Sequence, residues 1–201
     1  PDSNKIVFAS DRNGDPDIFV IGSDGKGEQQ LTDNEAMDVS PVWSPDGQWI
    51  VFSSLLEEED PNLYLISPDG SNLRRITFSP NYDGDQVSWS PDGQFLVFPS
   101  SRIGNYELYL MSLDGSAFGT LTRTERDEYS GLLSPDGRYL LINVYNSDFI
   151  GLVIRDLVTE EEFQLTDSGS RASYASWIPN GTVNYDPAFL LSAGKTDENC
   201  V

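Results

Sequence analysis

This 201-residue sequence predicts an all-β fold of the propeller class, a β-propeller of four-stranded antiparallel blades, on three observations. First, one phrase keeps returning: Trp43-Ser44-Pro45-Asp46-Gly47, Trp89-Ser90-Pro91-Asp92-Gly93, Leu133-Ser134-Pro135-Asp136-Gly137 and an eroded Trp177-Ile178-Pro179-Asn180-Gly181. Its prolines, counting Pro1 as part of an earlier copy, are spaced 44, 46, 44 and 44 residues apart. Second, two further markers keep the same step: Asp-Gly at positions 24, 69 and 114, and Leu-Thr or Ile-Thr ending at Thr32, Thr77, Thr122 and Thr166. Third, every run between markers is short, rich in Ile, Val and Phe, and bounded by Gly, Pro, Asn or Asp, which is how strands and turns read. A step of roughly 40–45 residues built from short strands marks propeller blades.

Taken in order, the first unit offers strands over Lys5–Ser10, Asp17–Ile21 and Gln29–Thr32, with a turn at 11–16 and a tight hairpin at Asp24-Gly25. Gly takes positive φ at no steric cost, so Asp-Gly suits the hairpin. The second unit repeats the order with Ile50-Val51-Phe52, Leu63–Ile66 and Leu73–Thr77. The third does so with Leu96-Val97-Phe98, Leu108–Met111 and Gly119–Thr122. The fourth has Leu152–Ile154 and Phe163–Thr166, with Thr159-Glu160 where Asp-Gly stood before. Continuous apolar runs, in place of strict alternation, indicate strands covered on both faces, as in a blade between two neighbours. No segment reads as a helix.

The repeats occupy residues 1–181, with boundaries near 1–44, 45–90, 91–134 and 135–178; residues 182–201 form a C-terminal tail or a partial extra blade. The count is about four blades. Two arrangements satisfy it: a closed small ring, in which Ser173–Ile178 joins Lys5–Ser10, or an open arc of a larger propeller with unpaired edges that invite self-association. No apolar run approaches the ~20 residues of a spanning helix. The N-terminus opens inside a repeat and does not read as a signal peptide.

The net charge of −21 argues against nucleic acid and anionic membranes, which need a surplus of Lys and Arg, and favours a basic protein partner. His is absent, which removes the commonest general base, the Ser-His-Asp arrangement and the usual zinc ligand. There is no Gly-x-Ser-x-Gly elbow, and no pair of carboxylates is singled out for acid–base work. The chain therefore reads as non-catalytic. The single Cys, Cys200, reads as a free thiol near the C-terminus.

These residues resemble the TolB-type, or WD-like, β-propeller repeat. The resemblance is carried by Ser-Pro-Asp-Gly after Trp, an Ile-Val-Phe strand, Ser100-Ser101-Arg102-Ile103-Gly104-Asn105-Tyr106-Glu107-Leu108-Tyr109, then Asp-Gly and Leu-Thr. It extends to about residue 181. The resemblance implies an extracytoplasmic, periplasmic setting and a protein-binding scaffold. Similar repeats form the propeller of prolyl oligopeptidase-like enzymes, which leaves a glycan- or peptide-processing enzyme as the alternative. Members carry six or seven blades, and TolB has a separate α/β domain that is not found here. One fold serves many functions.

Two groups of acids are candidate sites. Six residues after each repeat threonine come Asp38, Asp83, Glu128 and then Ala172. Just before an inner strand, these three acids are expected at the mouth of a central channel, to bind a basic peptide or a Ca²⁺ ion, which takes six to eight oxygens. The alternative is that each bonds backbone amides at its own turn. The second group is an acidic loop face of Asp11, Asp15, Glu57, Glu58, Glu59 and Asp60, joined by Asp83 and Glu125. Gathered like charges call for a basic or cationic partner. Asp11–Asp17 also imitates part of a calcium loop, but the twelfth position, Gly22, lacks the bidentate Glu.

Overall fold

The computed structural model describes residues 4–57, 59–84, 86–114, 116–146, 149–167, 172 and 175–177. They form fifteen strands in four antiparallel sheets, and no helix occurs among the described residues. By packing the chain divides into residues 1–87 and 88–201. The first unit holds a sheet of β1 (Lys5–Ser10), β2 (Asp17–Gly22) and β3 (Gln29–Gln30). Its second sheet is β4 (Asp38–Trp43), β5 (Ile50–Ser54), β6 (Asn62–Ile66) and β7 (Arg74–Arg75). The second unit holds β8 (Ser88–Trp89), β9 (Phe95–Ser100), β10 (Glu107–Ser112) and β11 (Phe118–Thr120), then β12 (Asp127–Leu133), β13 (Tyr139–Tyr145), β14 (Ile150–Asp156) and β15 (Glu162–Gln164). Each sheet is a meander, so every strand pairs with its neighbours in sequence.

The recurring phrase builds the hairpin between the first two strands of each blade. Pro45 occupies the second position of a tight turn closed by Gly47 N–H donating to Ser44 O at 2.9 Å, and Gly47 takes φ 70°, where a Cβ would be strained. The Ser44 hydroxyl donates to Asp46 Oδ1 at 2.6 Å and accepts the Trp49 amide at 2.9 Å, while Asp46 Oδ1 also accepts the Gln48 amide. The same bonds recur at Ser90, Asp92 and Phe95, and at Ser134, Asp136 and Tyr139. At the lost Asp-Gly position Glu160 keeps the turn, at the strained φ of 61°.

The middle strands are apolar on both sides because both sides are covered: β5, β6, β9 and β10 are buried throughout. In the first unit Ile18 and Val20 of β2 pack on Ile50, Phe52, Tyr64 and Ile66. In the second, Val97, Leu108 and Leu110 pack on Leu140, Ile142 and Val144. Burying each such side chain contributes about 1.5–3 kcal/mol. Gly131 of β12 lies in this second seam, and a Cβ there would stand 2.7 Å from Leu108 Cδ1 and 3.0 Å from Val97 Cγ1.

The choice between a closed ring and an open arc turns on residues 173–178, of which 173, 174 and 178 lie outside the described residues, as do Cys200 and the 182–201 tail. Trp177 is described, and its Nε1 donates to Leu132 O of β12 at 3.0 Å.

Candidate functional site

The meander places all β1–β2, β3–β4, β5–β6 and β7–β8 connections at one end of the first unit. Three backbone bonds tie these connections together: Asp38 N–H to Pro16 O at 2.8 Å, Leu55 N–H to Met37 O at 3.3 Å, and Asp83 N–H to Pro61 O at 2.9 Å. Exposed Asp11, Asp33, Glu35, Glu57, Glu59 and Asp60 lie on them, with Asp15 half-buried beside them. Glu58 lies outside the described residues. The cations of this end are already engaged. Arg12 pairs with Glu28 at 2.6 Å and lies over Phe8 and Phe19; Arg75 pairs with Glu57 at 3.1 Å, donates to Thr77 O and lies over Phe78. The end therefore carries a net negative field, which steers cationic surfaces toward it.

Among the acids stand three exposed apolar side chains, Met37, Leu56 and Phe78, the last 76 % exposed. Sequence reasoning from charge passed over them, together with Asp33 and Glu35. Their signal was available: Met37 and Phe78 fall in connections, outside any strand period, where polar turn residues otherwise predominate. The same end of the second unit is mixed in charge, with Arg102, Arg123, Arg126, Glu125 and Asp127. Arg102 lies over Tyr109 and Phe118, and Arg126 pairs with Glu128 and Glu162. The acidic surface thus belongs to the first unit.

Asp38, Asp83 and Glu128 are enclosed, at 1, 0 and 0 % exposure. Asp38 begins β4, Asp83 precedes β8 and Glu128 lies one residue into β12, and each donates its backbone N–H to the carbonyl just before β2, β6 or β10 in turn: Pro16, Pro61 and Tyr106. Asp38 Oδ2 accepts Asn34 Nδ2 at 2.9 Å. Glu128 Oε1 accepts Thr124 Oγ1 at 3.2 Å and Arg126 Nη2 at 3.3 Å. Burial pushes the Glu128 carboxyl up to about 7, and the charge of Glu107 adds to the rise, opposed by the nearby Thr122 hydroxyl and the charge of Arg126. Among the described residues no group of three or more His, Cys, Asp or Glu side chains is placed to hold a metal ion.

Comparison with known proteins places these features in a family. The TolB β-propeller domain family matches residues 1–87 and 53–185. A TolB homolog of Chlorobium chlorochromatii is 39 % identical over 152 residues, covering 67 % of this chain and 30 % of the relative. Dipeptidyl-peptidase 5 of Porphyromonas endodontalis is 33 % identical over 86 residues, 40 % of this chain and 12 % of that protein. The chain spans less than a third of the length of these curated relatives. A TolB structure from Agrobacterium tumefaciens superposes with a TM-score of 0.73 at 21 % identity, over 83 % of this chain and 62 % of the other, and so shares the fold.

Proposed function

From the premise that the chain belongs to the TolB β-propeller family, we propose that it is a non-catalytic interaction module whose first unit receives a basic protein partner at its loop end. One observation carries this reading. Asp11, Asp33, Glu35, Glu59 and Asp60 crowd an end whose own Arg12 and Arg75 are already paired, with exposed Met37, Leu56 and Phe78 among them. Charge supplies steering and register, and the apolar residues supply area to be removed from water. The setting we propose is extracytoplasmic, as the Tol-Pal name of a TolB relative in Desulfosudis oleivorans suggests.

The test is capture from a cell-envelope extract by the wild-type chain and by a Glu57→Lys, Glu59→Lys, Asp60→Lys variant of equal stability. A partner retained by the wild type, released by raised salt and missed by the variant is the expected outcome. Equal capture by both chains overturns the reading.

A second reading rests on the dipeptidyl-peptidase relative: a propeller that forms part of a peptide-processing enzyme. It predicts that the charge reversal alters turnover of a peptide substrate without any envelope partner.

A further inference from the structure

Two glutamates meet in the seam between the last two blades. Glu107 opens β10, Glu128 lies one residue into β12, and they are 1 and 0 % exposed. Each has one oxygen served and one not. Glu107 Oε1 accepts the Thr124 amide at 2.6 Å and Asn105 Nδ2 at 3.0 Å; Glu128 Oε1 accepts Thr124 Oγ1 and Arg126 Nη2. The Oε2 atoms of both are buried without a hydrogen-bond partner. A buried carboxylate oxygen in that state strongly favours protonation.

The surrounding charges do not remove the problem. Glu107 faces Glu128 from β10, Glu162 faces it from β15, and Arg126 and Asp127 come from its own segment. Arg126 sits closer to Glu162, at 2.8 Å, than to Glu128, at 3.3 Å. Glu162 is shared with Arg155, and Asp127 Oδ1 is occupied by the Tyr106 amide. The Arg126 guanidinium that reaches Glu128 is thus shared with the exposed Glu162.

The repeat supplies its own comparison. The residue before the amide that bonds the repeat threonine is Asp17, Asn62, Glu107 or Gly151. Each is followed in the next blade by Asp38, Asp83, Glu128 or Ala172 in turn. Where Asn62 replaces the acid, its amide donates to Ser79 O and accepts from Thr77 Oγ1 and the Ser79 amide. The position therefore accepts a group that both donates and accepts, which a carboxylate becomes on taking up a proton. Where the pair is Asp17 and Asp38, Asp17 is also held above its ordinary value, by burial first, then by the charge of Asp15 and, less, by that of Asp38. Where one partner is Gly151, the other is Ala172, and no acid remains.

We propose that Glu128, facing Glu107 across the seam, keeps its proton up to near neutral pH, and that this proton fastens the β12–β15 blade to the β8–β11 blade. The folded chain binds it more tightly than the unfolded chain does. Stability therefore falls as pH rises from about 4.5 toward 7 and levels off above that. The sequence makes the measurement clean. With no His, no side chain of ordinary pKa has its midpoint between about 5 and 8, so proton uptake there reports a perturbed carboxyl.

Infrared spectroscopy of the intact chain tests it. A protonated-carboxyl C=O band is expected at about pH 6, disappearing with a midpoint near 7, and absent from Glu128→Gln. Denaturant midpoints read the linkage: the unfolding constant of the wild type rises on the order of a hundredfold between about pH 5 and 8, that of Glu128→Gln stays flat, and Glu107→Gln shifts the midpoint to lower pH. A wild-type spectrum without the band overturns the proposal, as does the same pH slope in Glu128→Gln. Should that variant fail to fold, the wild-type band decides.

Discussion

Thr122 Oγ1 accepts the Leu108 amide at 2.9 Å, at the point in the blade where the outer strand's ladder has ended. The same bond joins Thr32 to Ile18, Thr77 to Leu63 and Thr166 to Leu152. In each case the residue before the threonine still donates its own amide to the carbonyl of that same partner. The threonine side chain thus substitutes for one backbone acceptor and lets the chain leave the sheet for the next blade.

Thr122→Val keeps the shape and deletes the acceptor, leaving the buried Leu108 amide unpaired. The expected loss is about 1–3 kcal/mol, read from denaturant unfolding, with Thr122→Ser losing less. A neutral Thr122→Val would show that the bond contributes nothing to the blade.

Gly131→Ala inserts a methyl group where Leu108 Cδ1, Val97 Cγ1 and Leu140 Cδ1 lie 2.7, 3.0 and 3.2 Å away. Overpacking of this kind costs about 1–3 kcal/mol. Combining it with Leu108→Ala should cost less than the sum of the two single changes, because the truncated side chain vacates the space. Strict additivity in that double-mutant cycle would contradict the contact.

Glu160→Gly should stabilise the chain. Glu160 holds φ 61° where a side chain is strained, and its contact with Arg155, at 3.6 Å, is an exposed one of small worth. A gain of about 0.5–1 kcal/mol in unfolding free energy is expected after the entropy of the added glycine is counted. A loss would place more weight on the ion pair than its exposure supports.

The turn aspartates respond to pH in the opposite sense to Glu128. Hydrogen bonds from the Ser44 hydroxyl, then the Gln48 amide, hold Asp46 below its ordinary value; the Ser134 hydroxyl does the same for Asp136. Their contribution is present above the unfolded value of 3.8 and is lost as pH falls through the lowered one. Asp46→Asn with Asp136→Asn should lower Tm at neutral pH and flatten the decline of Tm below about pH 4. An acid limb as steep as that of the wild type would count against the turns as its source.

Much of this was legible in residue order. Lys5–Ser10 has the bounds the sequence predicts, because Asn4-Lys5 and Ser10-Asp11 bracket a single apolar run, Ile6–Ala9. The outermost strands are shorter than the sequence predicts: Gln29–Thr32 and Leu73–Thr77 shrink to Gln29–Gln30 and Arg74–Arg75, since the threonine bonds through its side chain and is lost to the ladder. The regular placing of Asp38, Asp83 and Glu128 was plain, but their enclosure was not. It depends on the backbone bonds to Pro16, Pro61 and Tyr106, which cross from one blade to the next. The acids of the loop end could be gathered from topology, whereas only their exposure in the fold puts Met37, Leu56 and Phe78 on the same surface.

By itself, then, residue order determined the repeat, its turns and the strands between them, because Ser-Pro-Asp-Gly, Asp-Gly and Leu-Thr act within a few residues or along one meander. Only the tertiary structure decided that Glu107 and Glu128 oppose one another and that Arg126 is drawn toward Glu162. Burial and charge in a seam depend on which side chains two separate blades bring together, and no local pattern records that.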